Sequence, residues 1–149
     1  MNVPEPISEI LRSLLAAQRF AVLATSGDDQ PHASLVAFVT TPDLRYIVFV
    51  TERDTRKYIQ LIANPRVALL IDSRTNRAAD PEAATAVTVS GLAAEVSGDD
   101  RAQLIALYSA RHPYLADCAR APTSAMMRVT VATYRVVSRF QEVHEWHPA

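Results

Sequence analysis

The chain alternates short apolar segments with turn signals, and helical segments are inserted at only some of these turns. The first two apolar segments, FAVLATS at 20–26 and HASLVAFVT at 32–40, flank the turn sequence GDDQP and therefore predict a hairpin. A parallel doubly wound sheet would need a helix after nearly every strand, and the sequence lacks that strict alternation. The pattern favours an α+β fold built on an antiparallel barrel of about six strands.

The same signals predict the rest of the elements. The predicted strands are YIVFVT at 46–51, RVALLID at 66–72, VTVSGLAAEVS at 87–97 with Gly91 as a bulge, and AMMRVTVATYRVVSRF at 125–140 as one bent strand or two. A first helix is predicted to begin near Ile7, with Ser8 as a cap. A second is predicted to begin at Thr55, with Asp54 as its cap and an apolar stripe of Tyr58, Leu61 and Ile62. A third is predicted to begin near Asp99 and to be followed by a short helical piece at 113–119. Residues 73–86 are predicted to form a loop, and the end of the chain a polar tail.

Length and composition narrow the classes of function. The 149 residues are 49% apolar, which predicts one domain, spanning 1–149, with a real core. The 15 basic and 16 acidic residues give a net charge of −1, so neither nucleic acid nor a membrane is an expected partner, and any anion site must be local. We expect a soluble cytoplasmic protein, because the sequence shows neither a signal peptide nor an apolar run of ~18 residues. The single cysteine, Cys118, excludes an intrachain disulfide and is expected to be a buried structural thiol.

An unusual group of cations and hydroxyls begins the helix that follows the third predicted strand. In TERDTRK, at 51–57, Arg56 and Lys57 fall in the first helical turn, although the positive end of the helix dipole favours acidic side chains there. Free N–H groups and the dipole suit a phosphate, to which the hydroxyls of Thr51 and Thr55 can donate. The segment is therefore a candidate anion site. The alternative is a solvated helix start whose cations meet water or neighbouring carboxylates.

The sequence around this candidate site resembles a known family. The chain is similar to the pyridoxamine 5′-phosphate oxidase-like, FMN-binding split-barrel superfamily in the segment YIVFVTERDTRKYIQLIANPRVALLID and in FAVLATSGDDQPHASLVAFV before it. The later segments VSGLAAEV and LYSARHP fit the same family. The resemblance covers residues 7–140 and is most specific over 46–72.

This resemblance implies a six-stranded antiparallel split β-barrel of Greek-key topology with peripheral helices. It also implies a homodimer, with FMN in the cleft between the two chains. The implied cofactor-binding residues are Thr51, Thr55, Arg56 and Lys57 at the phosphate, Val50 beside the strand end, and Ser34, Leu35 and Val36 along the isoalloxazine, chiefly through backbone groups.

The implied activity is that of an oxidoreductase in which a hydride or two electrons pass through the flavin N5 to or from a small-molecule substrate. The vitamin B6 oxidases carry more cations on the early strand, whereas PHASLVAF holds no Arg or Lys, so neither the substrate nor the electron donor is identified. Two alternatives use the same fold: a flavin- or haem-binding or storage protein without turnover, and a reductase that uses the deazaflavin F420.

Four further residues have open roles in the sequence. His144 and His147 could bind a metal or haem if their segment is helical, or could belong to a polar tail. Trp146 could pack on a partner chain or cover a flavin edge. His32 could assist proton transfer near the flavin, since its pKa lies near neutrality, or could be an exposed side chain at a strand end.

Overall fold

The structure is a computed structural model, and residues 5–138 and 142–148 are described. The helices are α1 Glu5–Ala17, α2 Arg56–Ala63, α3 Asp80–Ala83, α4 Gly98–Arg111 and α5 Ala116–Arg120, with a 3₁₀ turn at Pro113–Leu115. The strands are β1 Phe20–Gly27, β2 Gln30–Thr40, β3 Tyr46–Glu52, β4 Arg66–Asp72, β5 Ala86–Glu95, β6 Ser124–Ser138 and β7 Glu142–Trp146. Among the described helices, none has the length and apolar character needed to cross a membrane.

The strands form a closed antiparallel barrel. The order along the sheet is β3-β2-β1-β4-β5-β6, and β6 pairs with β3 to close the ring. Strands β1, β2 and β3 follow one another as hairpins, and β4 returns to lie beside β1, which is the Greek-key arrangement. The predicted α+β fold with a six-stranded antiparallel barrel is therefore confirmed.

A seventh strand, β7, pairs with the part of β6 that continues beyond its pairing with β3. The first half of β6, Ser124–Thr130, pairs with β3, and its second half, Tyr134–Ser138, pairs with β7. The predicted 125–140 segment is thus a single strand as far as Ser138. The predicted polar tail is largely exposed, and its residues Glu142–Trp146 form a strand that was not predicted, because backbone groups that β3 leaves unpaired on β6 are taken by β7.

The inward faces of the strands form the main core. Leu23, Phe49 and Leu69 are fully buried there, and α1 and α2 add Leu11 and Leu61 to the same cluster. Both helices therefore contribute to the core inside the barrel.

A second cluster covers part of the outside. Helices α4 and α5 place Tyr108 and Ala119 against Val48 and Met126, which point outward from β3 and β6. The outer face of β1 and its neighbours is not covered in this way, and Leu35 there is 67% exposed.

The predicted helix caps differ from those in the structure. Ser8 lies inside α1, which begins at Glu5, so it does not cap this helix. Asp54 is not the cap of α2 either, because the Thr55 hydroxyl accepts the Tyr58 N–H and the helix begins at Arg56.

Three expectations about burial and order were wrong. Ile62 does not join the apolar stripe of α2 and is 57% exposed, because Leu61 takes the buried position. Cys118 is exposed, because Ala119 occupies the inward position of α5. The 73–86 segment contains α3, in addition to its irregular residues.

Gly91 marks a bulge in β5, as predicted. The pairing of β5 with β6 shifts register between Ser90 and Gly91. A Cβ at this position would lie 2.3 Å from the carbonyl oxygen of Thr130 and 2.8 Å from Cγ1 of Val129, so the two backbones approach too closely for any side chain.

Candidate cofactor site between strands β2 and β3

The barrel opens where β2 and β3 separate. These two strands pair only from Phe38 to Thr40 with Ile47 to Phe49. Before Phe38, β2 pairs with β1 alone, and after Phe49, β3 pairs with β6 alone. We call the resulting gap between the first part of β2 and the end of β3 the cleft.

Backbone groups line both sides of the cleft. The Phe38 N–H points to the carbonyl of Arg19, next to β1, and backbone direction alternates along an antiparallel strand. The N–H and C=O of Leu35 therefore face the cleft. On β3, Tyr46 turns its carbonyl towards Thr41 of the β2 side, so by the same alternation the main chain of Val50 faces the cleft.

The three predicted β2 residues play different structural parts. Val36 is buried inside the barrel, and Ser34 shares its inward face and is half-buried. Leu35 points outward and is exposed. An extended planar ligand in the cleft would thus meet the side chain and main chain of Leu35, whereas Ser34 and Val36 turn their main chains towards β1.

Val50 contributes through its backbone. Its side chain is half-buried against the cluster beneath α4 and α5, so it is not directed into the cleft. Its main-chain groups face the cleft immediately before Thr51. Strand β3 therefore connects the cleft to the start of α2.

The turn from β3 into α2, residues 51–57, carries the predicted anion site, and we call it the phosphate turn. The Thr51 hydroxyl is 3.4 Å from that of Thr55, which donates to the Glu52 carbonyl at 2.7 Å. In the part of the chain that the structure describes, no acceptor contacts the backbone N–H of Arg56 or Lys57. These two N–H groups are the free donors that a helix start offers an anion.

Two cations flank those donors. Arg56 is exposed and Lys57 is half-buried, and neither forms an ion pair with any described residue. Burial lowers the pKa of Lys57, as expected for an ammonium group that loses water without gaining a carboxylate. The structure thus brings Thr51, Thr55, Arg56 and Lys57 together as the sequence predicted.

The third cation of this turn has a different environment. Arg53 donates to one carboxylate oxygen of Glu95, from Nε at 3.1 Å and from Nη2 at 2.7 Å. Tyr58 donates its hydroxyl to the other oxygen at 2.7 Å. Burial works to raise the pKa of Glu95, but the hydrogen bonds from Tyr58 and Arg53 outweigh it and hold that pKa below its usual range. Sequence reasoning missed this cluster, because nothing in the sequence relates Glu95 to residues some forty positions earlier.

The residues with open roles fall into two groups. His32 is half-buried on β2 opposite Thr25, and its part in proton transfer stays a prediction. His144 lies in β7 and not in a helix, and the His147 ring contacts Thr133 and the Ala132 carbonyl, both at 3.1 Å. Among the described residues, no cluster of side chains fits a metal ion.

Trp146 lies on the barrel of its own chain. Its ring stacks on the buried Tyr134 at a centroid distance of 5.5 Å and an interplanar angle of 19°. This contact explains part of its burial within the chain, and its packing on a partner chain or over a flavin edge stays a prediction.

Sequence comparison assigns the chain to a family. The profile of the pyridoxamine 5′-phosphate oxidase family matches residues 7–138. The chain belongs to this family. A curated relative, a pyridoxamine 5′-phosphate oxidase homologue of Schizosaccharomyces pombe, is 35% identical over 89 residues, which are 53% of this chain and 47% of that protein. The chain therefore spans about half the length of the curated relative it matches.

Solved structures support the fold. A haem binding protein from Mycobacterium smegmatis superimposes with a TM-score of 0.84 at 20% identity, covering 99% of this chain and 60% of that one. The haem storage protein HutZ from Vibrio cholerae superimposes with a TM-score of 0.71 at 18% identity, covering 99% and 95%. At these identities the likeness concerns the fold and leaves the cofactor of this chain open.

Proposed function

We propose that this chain binds FMN non-covalently and acts as an FMN-dependent oxidoreductase on a small molecule. One observation carries the proposal: at the end of a strand whose backbone lines the cleft lies a helix start whose two N–H groups and two cations have no partner among the described residues. The residues present therefore fit both the phosphate and the ring of a flavin mononucleotide.

The phosphate end of the proposed site is the phosphate turn. The free N–H groups of Arg56 and Lys57 and the positive end of the α2 dipole would bind phosphate oxygens. The Arg56 guanidinium can add two parallel hydrogen bonds, and Lys57 a point charge. The Thr55 hydroxyl already donates to the Glu52 carbonyl and lies 3.4 Å from the Thr51 hydroxyl. The first role of Thr55 would therefore be to cap the helix.

The ring end of the proposed site is the cleft. A flavin ring needs an apolar surface and a few polar groups along its rim. Leu35 offers an exposed apolar side chain, and the main-chain groups of Leu35 and Val50 offer donors and acceptors on opposite sides. Ser34 and Val36 would support this strand from its inward face.

We further propose that a second copy of the chain forms the other wall of the site. On the outer barrel face, Leu35 of β2 lies opposite Val22 of β1, which lies opposite Leu70 of β4. Leu35 is 67% and Leu70 38% exposed, and Phe20 on the same face is 55% exposed. Apolar side chains adjoining in this way are typical of a protein interface. A homodimer would cover this face and enclose a ring bound beside Leu35.

The chain's own part in the reaction is to bind, orient and shield. When bound, FMN supplies two-electron transfer through its N5. The phosphate turn would fix one end of the cofactor, and the backbone of Leu35 and Val50 would fix the orientation of the ring. The cleft side of β2 holds no Arg or Lys between Pro31 and Phe38, so we propose a substrate other than one recognised by cations on this strand.

The first experiment is the visible absorbance spectrum of the purified protein, before and after FMN is added. We expect a flavin spectrum that elutes with a dimer on a sizing column, and its bleaching by NADPH or NADH followed by reoxidation when an acceptor is added. A flavin complex that shows no turnover with any acceptor would favour a storage or sensing protein. A protein that ignores FMN would contradict the proposal.

Two other cofactors are distinguished by the same assay. Haem would give a Soret band, and the two haem-related structures that share this fold make haem the second cofactor to add. F420 would be bound in preference to FMN if the chain were a deazaflavin reductase. The free N–H groups and the cations of the phosphate turn support FMN over haem in this proposal, because such donors suit a compact phosphate group.

A further inference from the structure

A carboxylate in β5, that of Glu95, forms hydrogen bonds with two residues of the phosphate turn and of α2. Glu95 is the last residue of β5, and its two oxygens have different partners. One accepts the Tyr58 hydroxyl at 2.7 Å, and the other accepts the Nε and Nη2 groups of Arg53. Tyr58 belongs to the first turn of α2 and Arg53 to the residues just before it. One side chain thus fixes both sides of the turn that carries Thr51 to Lys57.

Arg53 also links the phosphate turn to the segment between α5 and β6. Its backbone N–H donates to the Thr123 carbonyl at 3.1 Å, and its Nη1 donates to the Pro122 carbonyl. These residues lead from α5 into β6, whose first residues pair with the end of β3. The guanidinium is therefore in contact with acceptors on several of its N–H groups before any ligand is present.

The environment of Arg53 contrasts with that of its neighbours. Arg53 is paired with Glu95, and their side chains are 38% and 23% exposed. Arg56 and Lys57, in the same turn, have no described acidic partner. Glu95 thus offsets one of the three cations and leaves the other two to an anion.

We propose that Glu95 is a positioning residue for the cofactor phosphate and that Arg53 is an anchor and not a phosphate ligand. This inference rests on the proposed function, because it concerns the same FMN site. By holding Arg53 and Tyr58, Glu95 fixes the orientation of the free N–H groups of α2. An anion bound there is sensitive to such orientation, because charge-assisted hydrogen bonds need short and aligned contacts.

The test compares FMN with riboflavin, which has the same ring and no phosphate. The variants are Glu95→Gln, Arg53→Met and the two combined, and Asp117→Asn is the matched control, since it breaks an exposed ion pair with Arg120 in α5. Dissociation constants for both ligands come from the quenching of flavin fluorescence. Thermal unfolding of the ligand-free variants is measured separately.

We expect each single variant to weaken FMN about tenfold, the effect of one lost charge-assisted hydrogen bond, with little change for riboflavin. The double variant should be no weaker than the worse single one, because both changes break the same connection. Asp117→Asn should leave the ratio of the two affinities unchanged. If Arg53→Met fails to fold, Glu95→Gln and Tyr58→Phe carry the same test.

Two outcomes would overturn the inference. If Arg53 were a phosphate ligand restrained by Glu95, Glu95→Gln would free it and FMN would bind more tightly. If Glu95 only stabilised the fold, the variants would melt earlier but keep the wild-type preference for FMN over riboflavin. A wild-type protein without that preference would instead contradict the proposed function itself, so the two failures can be told apart.

Discussion

Replacing Lys57 with methionine should weaken FMN binding while leaving the ligand-free fold as stable as before, or more so. Lys57 is the only lysine among the 149 residues, and its half-buried ammonium has no described acidic partner. Methionine retains the apolar length of the side chain and removes the charge. The two effects have opposite signs because the charge is costly in the empty protein and useful only beside an anion.

The expected size follows from the contact that is lost. A hydrogen bond to a charged group contributes about 1.5–3 kcal/mol, which corresponds to about a 10- to 100-fold rise in the dissociation constant for FMN. Riboflavin, which lacks the phosphate, should bind Lys57→Met and wild type alike. Arg66→Met is a suitable control, because Arg66 is an exposed cation just beyond the far end of α2.

The pH dependence gives an independent check on the same residue. Burial lowers the pKa of Lys57 below its ordinary value of 10.5, so the folded ligand-free protein binds fewer protons than the unfolded chain. The resulting destabilisation is fully present at neutral pH and is relieved as the pH rises from the lowered pKa towards 10.5. In urea unfolding, the free energy of unfolding of wild type should therefore rise relative to that of Lys57→Met as the pH is raised through that interval.

Chemical labelling tests whether the ligand reaches this amine. Acetylation of the only lysine, followed by mass spectrometry of its peptide, should be slowed by FMN and unaffected by riboflavin. The reasoning would be refuted if Lys57→Met bound FMN as well as Arg66→Met does. It would also be refuted if the ligand-free Lys57→Met protein were clearly less stable than wild type.

Three further changes test the fold and the assembly. Gly91→Ala would place a Cβ 2.3 Å from the Thr130 carbonyl oxygen, and it should lower the free energy of unfolding by at least about 1–3 kcal/mol in urea titrations. Tyr134→Phe removes the 2.6 Å hydrogen bond to the buried Leu44 carbonyl and should cost about 1–3 kcal/mol by the same measurement, whereas equal stability would show that the carbonyl finds another donor. Leu35→Glu places a charge on the proposed interface, so sedimentation should show monomers that no longer retain FMN, and an intact dimer would place the interface elsewhere.

Local patterns predicted most of the barrel. Alternating apolar residues and the GDDQP turn located β1 and β2, and Asn64-Pro65 located the end of α2. These features depend on residues that are close together in the sequence, so the sequence alone predicts them. The bulge at Gly91 was also visible, because a glycine inside a strand pattern indicates close backbone approach.

Features that depend on distant contacts were not visible. The segment that forms β7 is short and polar, and it forms a strand by pairing with the edge of β6 that β3 leaves free after Thr130. Thr55 caps α2 in place of Asp54, because the turn after β3 puts Thr55 directly before the first helical residue, Arg56. Residue composition does not predict that position. The inward position of Ala119 in place of Cys118 depends on how α5 and α4 pack together against β3 and β6.

The candidate site was predicted in part. The residue types in the phosphate turn and the family resemblance identified Thr51, Thr55, Arg56 and Lys57, and the structure shows why they adjoin the cleft. The separate environment of Arg53 required Glu95, which lies 42 residues further along the chain. Which backbone groups face the cleft also required the pairing register of β2 and β3.

The most direct test of the central claim is a titration of the wild-type protein with FMN and with riboflavin under the same conditions. The account predicts that FMN binds at least about tenfold more tightly, because only FMN has a phosphate for the turn at Thr55 to bind. Equal affinities, or no binding of FMN, would contradict it and leave residues 51–57 as an ordinary helix start.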